Sequence, residues 1–228
     1  VRAHLTARVD ALYSMGVRYI KNDYNGHPGC GVDRKNASPY AGLEQHCRQV
    51  NAFYAEVRRE FPDLYLENCA SGAMRADGNT MRNFNVQSIS DCEEYDKIPS
   101  ILNGTLLSLL PEQIGVWTYP YPRVFWEMNG EEYFTPAYVA ERKDGEETIF
   151  NLINGMTGTM YLSGKIDVCD EENLSLIRQG VSLYKELREF IGASYPVYPL
   201  GLARLTDKNS FAAQGLKNGK KILLAVWR

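Results

Sequence analysis

The sequence predicts an α/β fold built from parallel βα units, giving way to β structure near the C-terminus. Three observations lead there. Short strand-type runs alternate with longer stretches whose apolar residues recur every three or four positions. Polar residues gather directly after the strand-type runs, where α/β folds keep their chemistry. The 228 residues, 44% hydrophobic and 23% charged, have ordinary globular composition and suffice for one large domain or two modest ones.

The elements follow in order. Leu5, Val9, Leu12 and Tyr13 stand at helical spacing, and the pattern stops at Gly16, suited to the left-handed position after a helix end. Residues 17–20 form a β-type run that leads into Lys21-Asn22-Asp23-Tyr24-Asn25-Gly26, polar and turn-rich. Leu43, Cys47, Val50, Tyr54, Val57 and Phe61 again repeat helically, and Pro62 closes that helix. Leu64-Tyr65-Leu66 reads as a strand running into a second polar segment, Glu67-Asn68-Cys69-Ala70-Ser71-Gly72. A third strand is predicted over 86–89, then a helix over about 97–110 with Pro99 near its first turn and Pro111 at its end. Residues 116–119 give a fourth strand, 146–156 a helix, and Met160-Tyr161-Leu162 another strand. The clearest helix follows Asp170, a capping residue, with Glu171 and Glu172 in its first turn. Its buried stripe is Leu174, Ile177, Val181, Tyr184, Leu187 and Ile191, ending before Gly192. From Tyr195 the pattern changes. Tyr195-Pro196 and Tyr198-Pro199 read as a linker, and Lys217-Asn218-Gly219-Lys220 as a hairpin turn before a strand over 221–227. The expected division is 1–194 for the βα region and 195–228 for a linker and the first strands of a C-terminal β domain.

Composition excludes several classes. A net charge of −3 with scattered Lys and Arg leaves no electrostatic footprint for nucleic acid. No apolar run approaches the roughly 18 residues of a membrane span, and Arg2, His4 and Arg8 break any signal-type core. Neither nucleic acid nor membrane is expected as a partner. Cys30, Cys47, Cys69, Cys92 and Cys169 form no CxxC and are odd in number, which favours a reducing compartment such as the cytoplasm. GxGxxG, GxxxxGK(S/T) and GxSxG are absent, so dinucleotide, P-loop and serine-hydrolase readings have no anchor.

Carboxylates remain. Asp23 follows the first strand and Asp91 the third, each with an aromatic nearby, Tyr24 and Tyr95. Two carboxylates at the ends of neighbouring parallel strands can face one cavity. Glycoside hydrolysis needs that arrangement: one group attacks the anomeric carbon while the other moves the proton. Lys21-Asn22-Asp23, then Cys69-Ala70-Ser71-Gly72-Ala73-Met74-Arg75-Ala76-Asp77, then Ser90-Asp91 resemble three blocks of the α-galactosidases of glycoside hydrolase family thirty-six, the melibiase group. That family reads Lys-Trp-Asp, Cys-x-x-Gly-x-x-Arg-x-Asp and Trp-x-Ser-Asp. The second block matches at Cys69, Gly72, Arg75 and Asp77, and Thr157-Gly158 with Tyr161-Leu162-Ser163-Gly164 extends the likeness.

The resemblance implies a (β/α)8 TIM-type barrel, of which the chain carries strands four to eight, acting as a retaining exo-α-galactosidase or derived from one. Asp23 becomes the nucleophile and Asp91 the general acid/base. Lys21 is implied to hydrogen-bond the sugar and to favour the ionised Asp23. Cys69 and Gly72 would line the sugar pocket, Gly72 because no side chain fits, and Arg75 would organise the site near Asp91. Glu93 and Glu94 flank Asp91 and, if turned inward, would help it hold its proton. No metal or organic cofactor is required, the partner is an α-galactoside oligosaccharide or glycoside, and a homo-oligomer is expected. The chain departs from the family at Asn22, at Tyr24-Asn25-Gly26 in place of Met-Asn-Arg, and at Ser88 in place of Trp, which leaves a 2-acetamido sugar or a branched galactoside open as substrate.

Three other features have plainer readings. Trp117, Tyr119, Tyr121, Phe125 and Trp126 are read as packing rather than as a sugar platform. His27 and Cys30 with His46 and Cys47 have zinc-binding residue types, but adjacent His46 and Cys47 suit one tetrahedral ion poorly, and Cys47 reads as a core thiol. A zinc-dependent hydrolase and a non-catalytic sugar-binding or assembly module stay as alternatives.

Overall fold

The computed structural model describes residues 1–26, 41–92, 94–120, 127–128, 131–132, 145–164, 166–206 and 210–228. The chain divides into two compact units, Val1–Gln87 and Ser88–Arg228.

The first unit alternates helix and strand. Helix α1 (Arg2–Ser14) ends before Gly16, whose φ of 96° is the left-handed turn expected there. Strand β1 (Tyr19–Asp23), helix α2 (Ala41–Glu60), strand β2 (Tyr65–Cys69), the single turn α3 (Gly78–Met81) and strand β3 (Val86–Ser88) follow; Ser88 opens the second unit. β1 pairs parallel with β2 in the register Tyr19↔Tyr65 to Asp23↔Cys69, and β2 pairs parallel with β3. Phe53 and Val57 from α2, with Phe61, Leu64, Leu66, Met81, Phe84 and Val86, make the core. Val57 and Leu66, each 1% exposed, contribute about 1.5–3 kcal/mol apiece through burial.

The second unit adds a 3-10 turn (Tyr95–Lys97), α4 (Ile98–Thr105), β4 (Ile114–Thr118), a short antiparallel pair β5 (Glu127–Met128) and β6 (Glu131–Glu132), and α5 (Glu146–Gly155). Then come β7 (Thr159–Leu162), parallel to β4, and α6 (Glu171–Gly192). Asp170 caps α6 by accepting from Asn173 N at 2.8 Å, and Ile177 and Ile191 of the expected stripe are buried. α5 and α6 pack closely because Gly180 leaves room for Leu152, which a Cβ there would meet at 2.9 Å. β8 (Tyr195–Val197), β9 (Ala212–Asn218) and β10 (Lys221–Trp227) form an antiparallel sheet in the order β10-β9-β8. The β9–β10 turn runs through Gly219, where the sequence places a hairpin. Buried Asn103 of α4 donates to Gln214 Oε1 at 2.8 Å and accepts from Ala203 N at 2.9 Å, tying that sheet to the helix.

Several local expectations change. β1 and β2 run to Asp23 and Cys69, through polar segments expected to be turns, because ladder hydrogen bonds use backbone and are indifferent to side chain. Residues 195–197, expected as linker, are a strand, and Pro196 is tolerated because β8 lies at the sheet edge. The helix expected over 97–110 stops at Thr105, whose hydroxyl bonds back to Ile101 O. α1 buries no residue; Leu5 and Leu12 are each 41% exposed. Cys47 is exposed rather than a core thiol, since burial along α2 begins only at Phe53.

Candidate active site

The first unit carries Lys21, Asp23 and Cys69 at the C-terminal ends of β1 and β2. Alternation along the strands puts Tyr19, Lys21 and Asp23 on one face, opposite Tyr65, Glu67 and Cys69. Lys21 Nζ lies 3.4 Å from Glu67 Oε1, and the Tyr19 hydroxyl donates to Glu67 Oε2. The charge of Lys21 is thus answered from β2 by a carboxylate only 3% exposed. Asp23 is exposed and Cys69 fully buried at the next rung. Asn22 faces the other way, lining with Tyr24, Tyr54, Asn68 and Arg75 a cavity of about 290 Å³.

The loop after β2 is shaped by two left-handed residues, Ser71 (φ 46°) and Gly72 (φ 78°). Glycine at 72 is explained by this backbone conformation, which side chains disfavour. The Gly72 carbonyl accepts from Ala70 N at 2.9 Å and from Gln87 Nε2 at 3.0 Å. Gln87 in turn accepts from Asn68 Nδ2 at 2.6 Å, and the same amide reaches Arg75 O at 3.3 Å. Arg75 donates through Nη2 to Gly26 O at 2.6 Å and lies 3.7 Å over the Tyr24 ring. Within this unit it braces the loop that leaves Asp23. Burial pushes the Tyr24 hydroxyl up, with Arg75 opposing. Asp77 caps α3 through Asn79 N and Thr80 N. Burial raises the Asp77 carboxyl, but hydrogen bonds from Thr80 and Asn79 outweigh it and hold it below the ordinary range.

The second unit carries Asp91, exposed after β3, in a turn where Cys92 N donates to Ser90 Oγ at 3.0 Å. Ser88, standing where the family has Trp, accepts from Trp117 Nε1 at 3.1 Å. Trp117 stacks on Tyr119 and meets Tyr161 edge-on at 5.3 Å. Glu94 pairs with Lys97. Glu93, Tyr121, Phe125, Trp126, His27 and Cys30 lie outside the described residues. Among the described residues no group of three or more His, Cys, Asp and Glu side chains could hold a metal ion. Sequence reasoning missed Glu67, Asn68 and Gln87. Gln87 stands inside a strand-type run, while Glu67 and Asn68 stand in the polar segment directly after one, into which β2 continues.

No family model matches this sequence, and no curated protein matches it. Solved structures do. With a TM-score of 0.77 and 16% identity, 99% of this chain aligns with 29% of a variant of the GH36 α-galactosidase AgaA from Geobacillus stearothermophilus, in complex with 1-deoxygalactonojirimycin. The fold is that of an α-galactosidase segment. The α-galactosidase from Lactobacillus brevis aligns at TM-score 0.72 and 16% identity over 92% of this chain and 26% of its own. The galactosidase domain of the α-galactosidase-sucrose kinase AgaSK aligns at 0.69 and 19%, over 94% and 26%. The chain therefore spans 26–29% of the length of the α-galactosidase structures it matches.

Proposed function

We propose that this chain is part of a retaining, exo-acting glycoside hydrolase that releases terminal α-galactose. The observation carrying the reading is the common face of β1 and β2, which presents Lys21 and Asp23 beside the buried Cys69 at strand ends, in a fold shared with α-galactosidases. In this reading 1–194 is the C-terminal part of a (β/α)8 barrel and 195–228 begins a C-terminal β domain.

The chemistry follows from two carboxylates. Asp23 attacks the anomeric carbon as Asp91 protonates the departing glycosidic oxygen, giving a covalent galactosyl ester. Asp91, now a carboxylate, takes a proton from water, which attacks the same carbon and frees Asp23. Lys21 donates to sugar hydroxyls, Cys69 and Gly72 shape the pocket wall, and Arg75 holds the loop beyond Asp23. The substrate class is α-galactoside oligosaccharides; two AgaA variants are solved in complex with stachyose and raffinose. A second copy of the chain is the proposed protein partner, supported by Ile222, Leu224 and Val226, 46–56% exposed on edge strand β10. A purely monomeric sedimentation profile at high concentration removes that part.

The test is mutational. Asp23→Ala lowers turnover of an aryl α-galactoside on the order of 10³-fold or more on every substrate. Asp91→Ala lowers it by about 10²–10⁴-fold, with recovery on substrates whose leaving group needs no proton. Equal residual activity of both variants across leaving groups defeats the assignment. The second reading, a sugar-binding module without turnover, is favoured by the loss of aromatic positions at Asn22 and Ser88. It predicts galactose binding that survives Asp23→Ala, with no hydrolysis by the parent chain.

A further inference from the structure

We infer that Glu67 is a positioning residue for this site, acting through Lys21. The inference rests on the reading of Lys21 given above and goes one residue beyond it. Glu67 stands inside β2 with 3% of its surface exposed, where a carboxylate persists only when charge and hydrogen bonds answer it. Both are present. Its Oε2 accepts from the Tyr19 hydroxyl, and its Oε1 faces Lys21 Nζ at 3.4 Å. Tyr19 is held by stacking on Tyr65, with ring centres 5.3 Å apart and planes 15° from parallel. The groups occupy successive rungs of one face: Tyr19↔Tyr65, Lys21↔Glu67, then Asp23↔Cys69. Glu67 fixes the ammonium one rung before the proposed nucleophile. Exposure grades the same way, 4% for the Glu67 side chain and 29% for Lys21, so the carboxylate is the buried anchor and the ammonium the accessible end.

A purely structural ion pair makes a different prediction. Buried pairs add little stability over apolar residues of similar volume, and removing one partner chiefly affects unfolding. A positioning carboxylate affects sugar recognition, and only while Lys21 is present. Galactose titrated calorimetrically into the whole chain separates the two, using Glu67→Gln, Lys21→Ala, the double variant, and Tyr19→Phe. Glu67→Gln and Lys21→Ala are each expected to weaken binding on the order of tenfold or more, with the double variant no weaker than Lys21→Ala. Tyr19→Phe loses less, in the same direction. Should Glu67→Gln fail to fold, Tyr19→Phe with and without Lys21→Ala reads the same coupling at a half-exposed residue. Losses that add in full on the Lys21→Ala background overturn the inference alone. So does parent-like binding by Glu67→Gln and Tyr19→Phe beside a weakened Lys21→Ala. Parent-like binding by Lys21→Ala, or a parent that binds no galactose, removes the reading of the site and the inference with it.

Discussion

Thiol chemistry separates Cys47 from Cys169. Burial, with Asp170 and Asp167 alongside, pushes the Cys169 thiol up to about 11, so it stays protonated at neutral pH. Cys47 is exposed on α2. Iodoacetamide at pH 8 is expected to label Cys47 well before Cys169, as read by peptide mass mapping; the reverse order contradicts the burial assigned to both. Asp77 gives a pH signature. Its carboxyl is lower in the folded chain than in the unfolded one, so its stabilisation is fully present above about pH 4 and is lost as pH falls through the folded value. Thr80→Val, which removes the Oγ1 donor to Asp77, is expected to cost about 1 kcal/mol at pH 7 in urea unfolding. The difference from the parent shrinks as pH falls through the folded value of Asp77. Gly72→Ala is expected to cost about 1–2 kcal/mol at any pH, because its φ of 78° is left-handed. The candidate residues themselves were legible because Cys69, Gly72, Arg75 and Asp77 keep a recognisable spacing. Their bracing was not: that Arg75 reaches Gly26 and that Glu67 answers Lys21 depends on strand register, which no local pattern in the sequence specifies.

At the scale of elements, the helices with strong caps and stripes were the most legible. Asp170, Glu171 and Glu172 announce α6, and Asp170 does cap it. Asp170→Ala is expected to cost about 1 kcal/mol, seen as a Tm lower by roughly 2–4 °C, and an unchanged Tm contradicts the capping role. The strands were legible in existence and short in extent. Apolar runs mark only where a strand is covered by apolar groups, while β1 and β2 continue through Lys21, Asp23, Glu67 and Asn68. Those continuations hold the candidate site. Rungs with polar side chains survive because partners satisfy them, as Asn68 and Gln87 do for each other. The linker reading at 195–197 failed for a related reason: proline excludes a central strand but not an edge strand such as β8.

For the whole molecule, alternation of strands and helices pointed to the fold class, and the motif order pointed to the α-galactosidases whose fold it shares. No helix among the described residues is long and apolar enough to cross a membrane. Asp23 and Asp91 fall in separate compact units, Val1–Gln87 and Ser88–Arg228, and the proposed mechanism assigns each a distinct chemical step. Covalent trapping tests that assignment most directly. A fluorinated galactosyl fluoride that accumulates glycosyl-enzyme esters is incubated with the chain, followed by peptide mass mapping. The account predicts one fluorogalactosyl adduct, on the peptide containing Asp23, absent from Asp23→Ala. An adduct on another carboxylate, or none on a chain that hydrolyses α-galactosides, contradicts it.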